Sequence, residues 1–132
     1  MNQQNVARSL VEDYMVKSPI TVEKWQPIAH ARQLMLMHSF SFLPVLTDSW
    51  KLLSEGALAS YLRKNGTWSS TLLSVSIEQA AGEGLGLIDA PMVGLKQDVQ
   101  SLLIDPATSP RIWLVKDELD RLCGVLSPFE LM

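Results

Sequence analysis

The sequence predicts an α+β fold made of two similar halves, each a short three-stranded sheet carrying helices. Three observations predict it. Short β-prone runs alternate with segments of helical apolar spacing. The order helix, short strand, helix, strand, turn, strand, helix runs through the 132 residues twice. Matching residues recur about 70 positions apart: Pro19 with Pro91, Leu34 with Leu103, and Leu43 with Ile112. A three-stranded layer must bury one face, so the halves are expected to pack together about a pseudo-twofold axis. The expected boundary lies in the polar stretch 65–70, giving a first half 1–66 with its N-terminal helix and a second half 67–132.

In the first half, Val6, Leu10, Val11 and Tyr14 fall at roughly helical spacing and predict an amphipathic helix ending near Tyr14. Pro19 stops any continuation, and Ile20-Thr21-Val22 is a short β-prone run. Pro27 opens a helix whose inner face carries Ile28, Ala31, Leu34, Met35 and His38, with a partly buried imidazole, and Ser39 closes it. Phe42-Leu43-Pro44-Val45-Leu46 reads as a strand whose proline lacks a ladder donor. Thr47-Asp48-Ser49-Trp50 has turn composition, Lys51-Leu52-Leu53 returns as a strand, and Ala57, Leu58, Tyr61 and Leu62 trace a helix ending before Gly66.

The second half follows the same order. Ser76 and Gln79 have capping-box spacing and open a short helix that Gly84 or Gly86 closes. Pro91-Met92-Val93 is extended, and Asp98 caps a helix over 99–104 that stops before Pro106. Ile112-Trp113-Leu114-Val115 is a strand, 117–120 a solvated turn, and 122–126 the returning strand.

Composition excludes several classes of function. At 47% hydrophobic and 19% charged the chain can bury a core, and its net charge of −3 without a basic run offers nucleic acid no electrostatic footprint. The lone Cys123 lies in an apolar run, which rules out an internal disulfide and leaves no thiolate metal site. His30 and His38 are two helical turns apart, too far to share a metal. No Ser/His/Asp or Cys/His set has motif support, so no catalytic residues, no metal and no enzyme activity are expected. The N-terminus lacks a signal peptide's basic and apolar regions, and no apolar stretch is long enough to span a bilayer. A cytoplasmic protein with no membrane association is the expectation.

The most informative motif closes the chain. Gly124-Val125-Leu126 ends a strand, Ser127 stands where a helix takes over, Pro128 suits a first helical position, and Glu130 has capping-box spacing from Ser127. A hydroxyl, a carboxylate and free N–H groups at a helix N-terminus form either an ordinary cap or a phosphate-binding end.

The pattern as a whole resembles tandem CBS domains, the pair called a Bateman module. The first copy carries Asp13-Tyr14-Met15, Ser18-Pro19-Ile20-Thr21-Val22, Leu34-Met35 and Phe42-Leu43-Pro44-Val45; the second carries Arg111-Ile112-Trp113-Leu114-Val115 and Leu122-Cys123-Gly124-Val125-Leu126-Ser127. The resemblance covers about residues 8–132 and implies a regulatory module rather than an enzyme. It implies an adenosine-type ligand (AMP, ADP, ATP or S-adenosylmethionine) in a cleft between the copies, with no fixed cofactor. It also implies a homodimer; as the sequence read carries no effector domain, either the output goes to a separate effector protein or the stretch is part of a longer chain.

Carried over by position, the phosphate-contacting hydroxyl falls on Ser127 and the ribose-binding carboxylate on Glu130, where the family has Asp. Ser18, Pro19 and Ile20, or Pro91 and Met92 in the other copy, correspond to the base pocket. Arg111 either faces a phosphate or is a plain surface cation. Trp113 is read as replacing the family strand's proline and packing in the core. In the first copy Lys51 takes the glycine position, Ser54 keeps the hydroxyl and Ala57 replaces the carboxylate, so at most one well-formed cleft is expected. That degeneracy leaves an alternative: a ligand-free CBS-fold scaffold for dimerisation and assembly. Trp50 and Trp68, indoles in polar surroundings, are candidates for a partner surface.

Overall fold

The computed structural model describes residues 10–65, 70–103 and 112–127. Its contacts divide the chain into two compact units, 20–90 and 1–19 with 91–132. Each unit is built on one four-stranded sheet.

The unit 20–90 contains β2 (Val22–Glu23), α2 (Ile28–His38), β3 (Phe42–Leu46), β4 (Trp50–Ser54), α3 (Glu55–Lys64), α4 (Ser70–Leu73), α5 (Ile77–Gly82) and β5 (Leu87–Asp89). Its strands lie in the order β2-β3-β4-β5, with β2 parallel to β3 and the other pairs antiparallel. Alternation along β3 and β4 sends Leu43, Val45 and Leu53 to one face, where they meet Ile28, Ala31 and Met35 of α2 and Leu58, Tyr61 and Leu62 of α3. Two left-handed turns shape the helix ends. Ser39 (φ 57°) terminates α2, and Gly84 (φ 114°) follows α5, where the Leu85 N–H donates to the Ala80 carbonyl at 2.9 Å. Ser76 caps α5 as its spacing predicts, its Oγ accepting from the Gln79 N–H at 3.1 Å.

The other unit contains α1 (Val11–Tyr14), β1 (Val16–Lys17), β6 (Met92–Gly94), α6 (Val99–Leu103), β7 (Trp113–Lys116) and β8 (Leu122–Leu126), with strand order β1-β8-β7-β6. Its core joins Val11, Val93, Val99, Trp113, Val115 and Leu126. Asp98 accepts from the Gln100 N–H at 2.9 Å at the start of α6.

Each sheet has four strands, not the expected three. The added strands are β1 and β5, two and three residues long, too short to show periodicity. Both link to a strand distant in sequence: Val16 pairs with Val125, and Leu52 with Ile88. The contact units therefore interleave with the sequence halves, and the chain passes between units at Pro19–Ile20 and Ala90–Pro91.

The register also shifts the expected alignment of the copies. Val22 pairs with Val45 as Val93 pairs with Val115, and Leu43 opposes Leu53 as Trp113 opposes Leu126. Leu43 therefore matches Trp113 rather than Ile112, and Ile20 rather than Pro19 matches Pro91. The counterpart of Pro44 is Leu114, since these residues oppose Leu52 and Val125. Trp113 does pack in the core, 5% exposed, but it does not replace the proline. His38 is another correction. It is exposed and stacks on Phe40 with ring centroids 5.1 Å apart, because the buried stripe of α2 ends at Met35. Trp50 opens β4 instead of lying in the turn. Among the described residues no helix is long and apolar enough to cross a membrane.

Candidate functional site

β6 and β7 run parallel and β8 runs against them, so the starts of β6 and β7 and the end of β8 lie at one end of their sheet. That end carries three of the residues expected at a ligand site. Ser127 follows Leu126, which opposes Trp113. Met92 opposes Leu114, whose N–H donates to the Pro91 carbonyl at 2.9 Å. β6 and β8 are two strands apart, about 10 Å. Ser127, Pro91 and Met92 are all half-buried. Glu130, Arg111 and Trp68 lie outside the described residues.

Ser18 is placed elsewhere. Its N–H meets the Cys123 carbonyl at 3.4 Å, four residues before Ser127 and about 13 Å back along β8. It is exposed and left-handed, with φ 53°, a conformation that costs a non-glycine residue energy. Pro19 follows it, half-buried, and Ile20 belongs to the other unit. There Ile20 stands two residues before Val22, as Pro91 stands before Val93, so it is the first-copy counterpart of Pro91 at the Ser54 end of β2-β3-β4-β5.

The first-copy strand end opens directly into α3. Ser54, the counterpart of Ser127, caps α3: its Oγ accepts from the Ala57 N–H at 3.0 Å, and the Glu55 N–H is taken by the Ser41 carbonyl at 2.9 Å. The helix end in that copy is thus satisfied by the protein itself. Lys51 and Gly124 are also counterparts, opposing Val45 and Val115. Gly124 is buried, and a Cβ there would overlap Met15 Sδ and stand 3.1 Å from the Val16 carbonyl oxygen. Lys51 instead extends to an ion pair with Asp89 of β5. Sequence reading found Lys51 as a departure from the motif but missed Asp89, because β5 itself carried no signal.

The reactive groups are quiet. The half-buried Cys123 packs against its core, and burial pushes its thiol up, with Asp117 adding to the effect; a raised thiol is a poor nucleophile. Asp117 organises the β7–β8 turn. Its Oδ1 accepts from the Leu119 and Arg121 N–H groups, both at 2.9 Å, and its Oδ2 from Arg121 Nε at 3.1 Å. These bonds, the Arg121 backbone N–H foremost, hold its carboxyl below the usual range. The turn is a solvated hairpin, as its composition predicts. Among the described residues no cluster of three His, Cys, Asp or Glu is placed to hold a metal.

No protein-family model and no curated protein matches the chain. Solved structures do. The CBS domain of a bacterial CNNM/CorC family Mg²⁺ transporter in complex with ATP superposes with a TM-score of 0.74 at 16% identity, over 96% of this chain and 87% of that one. CBSX2 in complex with AMP gives 0.67 at 18%, over 93% of each chain. CbpB in complex with c-di-AMP gives 0.70 at 12%, over 97% and 85%. With the strand order and the repeated register, these likenesses establish that the chain has the fold of paired CBS domains.

Proposed function

We propose that the chain is a regulatory, non-catalytic module that senses an adenosine-type nucleotide and passes the bound state to a separate effector protein. One observation carries the reading: β8 ends in a serine at the sheet end where β6 and β7 start, the end that also carries Pro91 and Met92. The CBS structures with ATP, c-di-AMP and AMP support the ligand class. In this reading Ser127 contacts phosphate and Glu130 the ribose hydroxyls. Arg111 balances phosphate charge, and Pro91 and Met92 wall the base. Ile20, the counterpart of Pro91, belongs to the weaker first-copy site, while Ser18 and Pro19 lie in the unit that holds Ser127.

Homodimerisation is part of the proposal. Leu36 and Met37 are 65% and 63% exposed on α2, beside a groove lined by Met35, Leu58 and Leu62, and an apolar helical face favours a second copy.

Thermal shift with AMP, ADP, ATP and S-adenosylmethionine tests the site. A ligand at 100 times its Kd adds about 2.7 kcal/mol, and Ser127→Ala should abolish that gain. A melting temperature unmoved by all four compounds, or a full shift in Ser127→Ala, removes the assignment. The scaffold reading has its own support in Lys51, Ala57 and the committed Ser54. It predicts a dimer whose mass and melting temperature ignore every nucleotide.

A further inference from the structure

A second concavity lies within the unit 20–90, at the opposite end of β4 from Ser54. Its volume is about 310 Å³, and Lys24, Asp48, Lys51 and Glu78 line it together with Leu85 and Leu87. These residues come from the segment after β2, the β3–β4 turn, β4, α5, the approach to β5 and β5 itself.

The wall is fixed by backbone bonds. The Lys24 N–H donates to the Leu46 carbonyl at 3.2 Å, and the Lys24 carbonyl accepts from the Glu78 N–H at 2.9 Å. The Ile77 N–H reaches the Gln26 carbonyl, also at 2.9 Å. Lys24 is therefore pinned between the sheet and α5 whatever its side chain does.

The charges are arranged unusually for surface ion pairs. Lys24 Nζ stands 3.5 Å from Glu78 and 3.9 Å from Asp48. Both distances exceed that of a direct charge-assisted hydrogen bond, in contrast to Lys96 and Glu12 at 2.7 Å. One ammonium is bracketed by two carboxylates without a close bond to either. Lys51 is engaged by Asp89 and adds a second positive charge to the rim. Leu85 is buried and Leu87 half-buried, giving the cavity an apolar floor.

A plain anion entering this space meets Asp48 and Glu78, and a plain cation meets Lys24 and Lys51. A ligand carrying both charges satisfies both sets. Exposed ion pairs contribute little, so exchanging them for ligand contacts costs little. We propose that this cavity binds a small zwitterion of the amino-acid class. The ligand carboxylate takes the Lys24 ammonium, its ammonium sits between Asp48 and Glu78, and a short aliphatic portion rests on Leu85 and Leu87. None of its residues is among those assigned to the nucleotide site, so its test does not depend on nucleotide binding.

The experiment is calorimetric titration of the full chain with the aliphatic L-amino acids, with inorganic phosphate as the anion probe and putrescine as the cation probe. Saturable binding of an aliphatic amino acid, absent for phosphate and putrescine, is expected. Lys24→Met and Glu78→Gln should each weaken it at least tenfold, while Lys96→Met leaves it unchanged. Lys24 is half-buried and Glu78 exposed, and an unliganded melting temperature near that of the parent certifies each variant. If one fails to fold, the other decides. No binding at millimolar amino acid, equal binding of phosphate or putrescine, or undiminished binding by a folded site variant each overturns the proposal.

Discussion

Gly124 and Lys51 occupy the same register position in two sheets of the same plan, yet one has no side chain and the other a long cation. The difference follows from how each sheet holds its fourth strand. β1 lies against β8 with Met15 crossing the place where a Cβ would be, so attachment there is by close packing. β5 lies against β4 with Leu87 packed on the core and Lys51 paired to Asp89, so attachment there adds charge at the rim to apolar packing. Equivalent topology does not demand equivalent chemistry; it demands only that the added strand be held.

The comparison breaks most sharply at Gly124. Gly124→Ala forces Met15 aside and crowds the Val16 carbonyl, and should destabilise the protein by about 1–3 kcal/mol, the usual cost of overpacking. Urea unfolding measures it, and an unchanged midpoint would show that β1 is not held by packing. Next comes the serine pair. Ser54→Ala removes the α3 cap and should cost about 1 kcal/mol without altering nucleotide response, whereas Ser127→Ala should alter the response. Lys51→Met tests the charged attachment, and an exposed pair of this kind should cost about 0.2–1 kcal/mol, read as a small loss that vanishes in high salt.

The smallest effect separates the two hairpin turns. In the β3–β4 turn Thr47 Oγ1 donates to the Ser49 carbonyl at 2.9 Å, a neutral bond, while the β7–β8 turn depends on ionised Asp117. Because folding lowers the Asp117 pKa from 3.8, its contribution is complete above that value and is lost as pH falls through the lower, folded one. Asp117→Asn should therefore be less stable than the parent at neutral pH, with the gap closing below about pH 4. A gap constant with pH in acid unfolding curves would contradict this.

The elements with long signatures are legible in the sequence. Pro27 and the Ile28, Ala31 and Met35 spacing define α2, the Ala57, Leu58, Tyr61 and Leu62 stripe defines α3, and the apolar runs define β3, β4, β7 and β8. What sequence hides is pairing at a distance. Val16–Lys17 and Leu87–Asp89 have no period to read, and only their partners make them strands. The one-residue offset at Trp113 has the same origin, since apolar residues run without alternation there and register comes from the ladder. Of the candidate site, the convergence of Ser127, Pro91 and Met92 follows from strand direction, which motif order supports. The far placement of Ser18 depends on β1, which the sequence did not disclose.

The crossing of the chain at Pro19–Ile20 and Ala90–Pro91 has a consequence for ancestry. Neither half of the polypeptide can complete a sheet from its own residues, because each lends its opening strand to the other. A progenitor holding a single copy could reach this architecture only by reciprocal exchange with a twin molecule, and fusion of the two genes would then convert a concentration-dependent assembly into one that forms at any dilution.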